Sequence, residues 1–217
     1  MELSDSYKHK GLRQHLINNL RIKGIKDENV LDAMMNVPRH HFMDSSFIEY
    51  AYQDKAFPIG SGQTISQPYT VAFQTELLNV EPGHSVLEIG TGSGYQAVIL
   101  YNMGAKVYSI ERQYNLYRKV KLFFDRYNYK IKVFYRDGYD GLSTFAPFDR
   151  IIITAAVPLV PEALKRQLKI GGILVAPVGQ KNHQTMIRLI KKGEGEFITE
   201  EHGGFVFVPM LPGKAED

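Results

Sequence analysis

The stretch SVLEIGTGSGYQ, residues 85–96, constrains this chain more than any other. The apolar residues Val86, Leu87 and Ile89 carry a single acid among them, Glu88. Glycines follow at alternate positions, Gly90, Gly92 and Gly94, with Thr91 and Ser93 between them, and then a helix-like segment. The pattern predicts a strand, a tight turn and a helix N-terminus. Glycine allows backbone angles that other residues resist and lets a ligand come close to the main chain. Free N–H groups at a helix start suit polar or anionic ligand groups. A nucleotide-containing cofactor is the expected occupant, although a purely structural turn can use the same residues.

Two cofactor classes compete for such a turn. Dinucleotide folds use G-x-G-x-x-G with an acidic residue about 20 positions further on. Here the position three after Gly92 is Tyr95. The acid ahead of the first glycine, Glu88, is the arrangement of S-adenosylmethionine sites. A second apolar run, 106–110, ends at Glu111. A carboxylate there can accept from both ribose hydroxyls in either class.

Beyond the turn Glu81-Pro82-Gly83, strand-like and helix-like segments alternate. Residues 86–89, 107–110, 131–135, 151–154 and 173–176 read as strands, and 96–102, 114–127 and 161–168 as helices. Such alternation predicts an α/β fold with a doubly wound parallel sheet. Ligands of these sheets sit beyond the carboxyl ends of the strands, where Glu88, Gly90, Glu111, Asp137 and Thr154 all fall. Toward the C-terminus, residues 186–190 and 197–198 flank the turn Lys192–Gly195 as a hairpin, and 205–208 read as a further extended stretch. In the first third, Leu12, Leu16 and Leu20 mark an amphipathic helix ended by Gly24. Asp27 caps a second helix with Val30, Leu31, Met34 and Met35 on its buried side. Pro68 opens a third, over 68–78.

Composition removes several classes of function. With no cysteine among 217 residues, disulfides, thiolate metal sites and cysteine nucleophiles are excluded. The seven histidines include the pair His40-His41 but no H-x-x-x-H pattern, so no metal is expected. The formal charge is only +3, and the short basic clusters 118–121 and 191–192 read as solvated faces, not as a nucleic-acid footprint. No window approaches the roughly 18 apolar residues of a membrane span, and the first ten residues lack the layout of a signal peptide. A cytoplasmic protein is expected, without nucleic-acid or membrane partners and monomeric.

Two further segments carry a family likeness. One is PIGSGQTISQP, residues 58–68; the other is FDRIIITAAVP, residues 148–158, continuing to Gly171-Gly172 and Pro177-Val178-Gly179. With VLEIGTGSGYQ, Arg136-Asp137-Gly138-Tyr139, Val37-Pro38-Arg39-His40 and Phe207-Val208-Pro209, they resemble protein-L-isoaspartate O-methyltransferases over nearly the whole chain. GQTISQP is the most specific element. The resemblance implies a class I, Rossmann-like methyltransferase fold with a seven-stranded, mostly parallel sheet. It implies one domain over 1–217: a helical extension and active-site loop over 1–80, then a cofactor-binding core over 81–217. The implied activity moves a methyl group from S-adenosylmethionine, leaving S-adenosylhomocysteine, to the α-carboxylate of L-isoaspartyl residues in damaged proteins. The ester closes to a succinimide, whose hydrolysis returns some normal aspartate.

By the same resemblance Ser66 is the active-site serine. Capping of the helix at Pro68 is the competing reading of Ser66. Gln63, Thr64 and Ile65 join Ser66 along the cofactor. Gly90, Thr91 and Gly92 pass its methionine part, with Glu88 as an electrostatic partner. Glu111 lies at the ribose, Arg112 is a further cofactor-binding residue, and Asp137 and Gly138 lie at the adenine, the aspartate accepting from the exocyclic amine. Gln67, Val208 and Pro209 join Ser66 at the peptide, although an ordinary terminal strand explains the last two equally. A class I methyltransferase for RNA or a small molecule is the alternative, and Thr154-Ala155-Ala156-Val157 lacks the clamp for a flipped base. A non-catalytic cofactor binder and a nicotinamide dehydrogenase are more distant ones.

Overall fold

The computed structural model describes residues 4–180 and 183–216. The chain opens with α1 (Tyr7–Ile22) and α2 (Glu28–Asn36), each started by a side-chain cap, from Ser6 and Asp27. A short hairpin follows, β1 (Phe57–Gly60) with β2 (Gln63–Ile65), then α3 (Pro68–Leu78). The main sheet is built from β3 (Ser85–Ile89), β4 (Lys106–Glu111), β5 (Lys132–Tyr135), β6 (Phe148–Ile153), β7 (Leu168–Gln180), β8 (His183–Gly193) and β9 (Glu196–Phe205). Its helices are α4 (Tyr95–Asn102), α5 (Tyr114–Arg126) and α6 (Glu162–Arg166).

The strands lie in the order β5-β4-β3-β6-β7-β8-β9. The first five are mutually parallel, while β8 and β9 pair antiparallel. Chain order therefore reverses beside β3, and the crevice past its carboxyl end is where ligands of such sheets bind. Alternate residues feed opposite faces. Val86, Val107 and Ile152 join the core under α1–α5, whereas Leu87, Ile151 and Ile153 join the core with Leu164 of α6. Both faces are covered, so β3 is buried from Val86 to Ile89, as a central parallel strand requires.

Several expectations change in detail. Leu12 is exposed, and the buried stripe of α1 is Arg13, Leu16, Ile17 and Leu20. Met35 is only partly buried, and Ala33 joins the inner face of α2 instead. The helix expected over 161–168 stops at Arg166, because Leu168 already pairs with Phe148 in the sheet. Strand β7 is far longer than 173–176, since it is bonded on both sides, to β6 and β8. Lys191, read as solvated, is buried and donates to the Leu168 carbonyl at 3.0 Å. Beyond Phe205 the chain leaves the sheet. It then crosses the carboxyl ends of the parallel strands as a strap, from Pro209 beside Ala156 to Ala215 beside Gln113. Among the described residues, no helix is long and apolar enough to cross a membrane.

Candidate active site

The turn after β3 takes its shape from three glycines with left-handed backbone angles, Gly90 (φ 97°), Gly92 (φ 52°) and Gly94 (φ 84°). A side chain at Gly90 would meet Thr154 Oγ1 at 2.7 Å. The turn is held from below and from the side. The backbone N–H groups of Gly90 and Thr91 donate to the Ile110 carbonyl at 2.9 and 3.1 Å. Gly92 N–H donates to Glu111 Oε2, and Gln113 N–H to its Oε1, both at 2.8 Å. Burial raises the Glu111 pKa while these backbone donors oppose the shift. The Arg112 backbone acts on the same carboxylate, which still has acceptor capacity for a ligand hydroxyl.

A cavity of about 880 Å³, its open mouth included, lies beyond these strand ends. Its walls bring together Gln63, Thr64, Ile65 and Ser66 from the loop before α3. Gly90, Thr91 and Gly92 come from the glycine turn, Glu111 and Arg112 from the end of β4, and Gly138 from the segment after β5. Val208 and Pro209 close it from the tail. A Cβ at Gly138 would meet Ile89 Cγ2 at 2.4 Å and Met210 Cε at 3.0 Å, so this wall has room only for glycine.

Three expected site residues stand outside the walls. Glu88 is fully buried beneath the turn. Its Oε2 accepts from the Ser109 hydroxyl, which in turn pairs with the Thr91 hydroxyl at 2.6 Å. Burial, reinforced by the charge of Glu111 and opposed by the Ser109 hydrogen bond, pushes its pKa up to about 8. Glu88 is thus mainly neutral at pH 7 and supports the turn from behind instead of facing a ligand. Asp137 uses both oxygens on the chain, accepting from Tyr139 N–H at 2.9 Å and from Gly213 N–H at 2.6 Å. Gln67 is the N-cap residue of α3 and makes no side-chain capping bond. That last point also removes the competing reading of Ser66: α3 is not capped by it.

The strap supplies walls that the sequence reading did not include, Met210 and Leu211. Arg112 Nε donates to the Gly213 carbonyl at 3.0 Å, and Tyr139 Oη to the Met210 carbonyl at 3.2 Å. Ala215 N–H donates to the Arg112 carbonyl at 2.8 Å, and Tyr114 N–H to the Ala215 carbonyl at 3.1 Å. These contacts are mostly to backbone, so no residue type in the tail announces them; the prolines at 209 and 212 show only that regular pairing ends.

A parallel sheet with a glycine turn at its reversal point, a carboxylate ending the neighbouring strand and an antiparallel pair at its far edge matches the class I methyltransferase architecture. The chain matches the profile of the protein-L-isoaspartate(D-aspartate) O-methyltransferase family over residues 11–215. It is 56% identical to the protein-L-isoaspartate O-methyltransferase of Cytophaga hutchinsonii, covering 96% of this chain and 95% of that one. It is 55% identical to the protein of the same name from Christiangramia forsetii, covering 98% and 100%. A solved structure described as a protein-L-isoaspartate O-methyltransferase from Plasmodium falciparum, in complex with S-adenosyl-L-homocysteine, superposes with a TM-score of 0.80 at 26% identity. That match covers 94% of this chain and 98% of the other. The chain belongs to the protein-L-isoaspartate O-methyltransferase family.

Proposed function

We propose that this chain transfers the methyl group of S-adenosylmethionine to the free α-carboxylate of L-isoaspartyl residues in damaged proteins and peptides, starting their repair through a succinimide. The observation that carries this reading is the placement of Ser66. It sits in the wall of the same cavity as Gly90, Gly92 and Glu111 and is not spent on capping α3.

The cavity fits the cofactor. Glu111 offers acceptors for paired hydroxyls, and the glycine positions leave backbone exposed where side chains would collide. When bound, S-adenosylmethionine supplies an electrophilic methyl group on a sulfonium. The acceptor carboxylate is ionised at neutral pH, so the protein needs no general base. Its residues align and desolvate the acceptor. The Ser66 hydroxyl donates to one carboxylate oxygen and leaves the other free to attack. Ile65, Val71, Ile89 and Met210 give the cavity apolar walls. Arg112 and Gly138 complete the cofactor side, and Val208 with Pro209 presents main chain to an extended substrate.

In this reading residues 1–217 act as one domain and as a monomer. The test is transfer of labelled methyl from S-adenosylmethionine to paired peptides, one with L-isoaspartate and one with normal aspartate. Base-labile label on the isoaspartyl peptide alone is the expected result. Label on neither peptide, with S-adenosylhomocysteine still bound, would overturn the substrate assignment.

A further inference from the structure

Outside the cavity walls, the start of the chain meets the segment after α2 in a cluster of Asp5, His9 and His40. Each offers one donor atom, and the three atoms lie within 4.8 Å of one another. The two imidazole rings are 3.9 Å apart at their centroids. His40 is fully buried, and its Nε2 has no partner. Its other nitrogen, Nδ1, lies 2.7 Å from the Tyr52 hydroxyl. That hydroxyl also accepts from Arg13 Nη1 at 2.9 Å.

These partners accommodate the tautomers that a metal ligand needs. His9 Nδ1 is 3.3 Å from the Ser4 carbonyl. A carbonyl only accepts, so the proton sits on Nδ1 and Nε2 carries the lone pair. The Tyr52 oxygen accepts from Arg13 and keeps a second lone pair for His40 Nδ1–H; in that tautomer the lone pair of His40 lies on its unpartnered Nε2. A histidine whose second nitrogen is oriented by another group is the usual form of a metal ligand. Asp5 accepts from Arg13 at 3.0 and 2.8 Å, one bond to each oxygen, and each oxygen keeps a further lone pair.

We propose that Asp5, His9 and His40 form a site for one divalent transition-metal ion of borderline softness, Zn²⁺ or Co²⁺, that clamps α1 to residues 39–42. Two imidazoles and a carboxylate suit such ions. Bonds of about 2.0–2.1 Å to each donor require a tighter set than the free side chains form. His9 and Asp5 are half-buried at the surface, so they are free to close on the buried His40 and leave a fourth position to water. Arg13 balances the Asp5 charge and keeps the carboxylate in place.

The test uses the full chain without an added histidine tag, stripped of metal and titrated with Co²⁺, with Zn²⁺ as competitor. The expected result is a visible ligand-field band of a four-coordinate nitrogen- and oxygen-bound ion, at one equivalent, abolished by Zn²⁺. His9→Ala and Asp5→Asn should each weaken Co²⁺ binding at least 30-fold and remove the rise in melting temperature with Zn²⁺. His15→Ala, an exposed histidine on the same helix, should change neither. Both surface variants leave the buried His40 intact, and circular dichroism without metal checks their folding. No band, or binding that His9→Ala leaves within threefold of the parent, would overturn the proposal.

Discussion

Oε2 of Glu111 accepts the backbone N–H of Gly92 at 2.8 Å, which ties the end of β4 to the turn after β3. One carboxylate therefore both shapes the glycine turn and faces the cavity. Glu111→Ala leaves two backbone donors, of Gly92 and Gln113, without an acceptor in a buried place. The expected loss of stability is about 1–3 kcal/mol, the cost of a buried unsatisfied group. S-adenosylhomocysteine affinity should fall at least tenfold by calorimetry. Glu111→Gln keeps one acceptor and should fall between the two proteins in both measurements. A variant with unchanged affinity would remove Glu111 from the cofactor site.

Ser66→Ala separates catalysis from helix capping. A lost side-chain cap costs about 1 kcal/mol, which lowers the melting temperature by a few degrees at this chain length. Gln67 holds the N-cap position here, so the melting temperature should stay within about 1 °C, a shift too small for a lost cap. Loss of an oriented donor at the reacting group costs about 100-fold or more in kcat. Methyl transfer to the isoaspartyl peptide should fall by that order while S-adenosylhomocysteine binding holds. A drop in melting temperature with full activity would reverse the assignment.

The sequence carried the sheet because the signals there are local. Each parallel strand is an apolar run of its own, and the glycines at 90, 92 and 94 need angles that few other residues take. Pro68 marked the start of α3 to the residue. The roles of Glu88 and Asp137 were not legible in the same way. Both stand at strand ends, where a carboxylate is expected to face a ligand, but which way a side chain turns depends on distant partners. Glu88 meets Ser109, 21 positions away, and Asp137 meets Gly213, 76 positions away. The tail was harder still, since its docking runs through main-chain groups that every residue carries.

Glu88 gives the fold a pH dependence of definite sign. Its pKa stands near 8 in the folded chain against 4.5 as the ordinary value. Between those values the folded state holds a proton that the unfolded state has released. Stability is therefore greatest below the ordinary value and falls as pH rises toward about 8, by up to about 1.4 kcal/mol per unit. Glu88→Gln keeps an acceptor for Ser109 and cannot ionise. The gap in melting temperature between Glu88→Gln and the parent should widen in favour of the variant from about pH 5 to about pH 8, then level off. A gap that stays constant across this range would show that Glu88 does not titrate there.

Asp137 decides how the strap and the cavity are coupled. Its Oδ2 takes Gly213 N–H at 2.6 Å, and its Oδ1 takes Tyr139 N–H at 2.9 Å. Met210 and Leu211, a few residues earlier on the same strap, form part of the cavity wall. Releasing Gly213 should therefore loosen that wall without touching the glycine turn. Asp137→Ala is expected to speed S-adenosylhomocysteine dissociation about tenfold in stopped flow, as weakened interfaces change mainly in off-rate. Deleting residues 212–217 removes the same anchor by another route, along with the Ala215 bonds to Arg112 and Tyr114. If Asp137 acts through the strap, adding Asp137→Ala to the truncated chain should produce no further acceleration. If it instead contacts the adenine directly, the two changes should multiply, and the double variant should release the ligand faster than either alone.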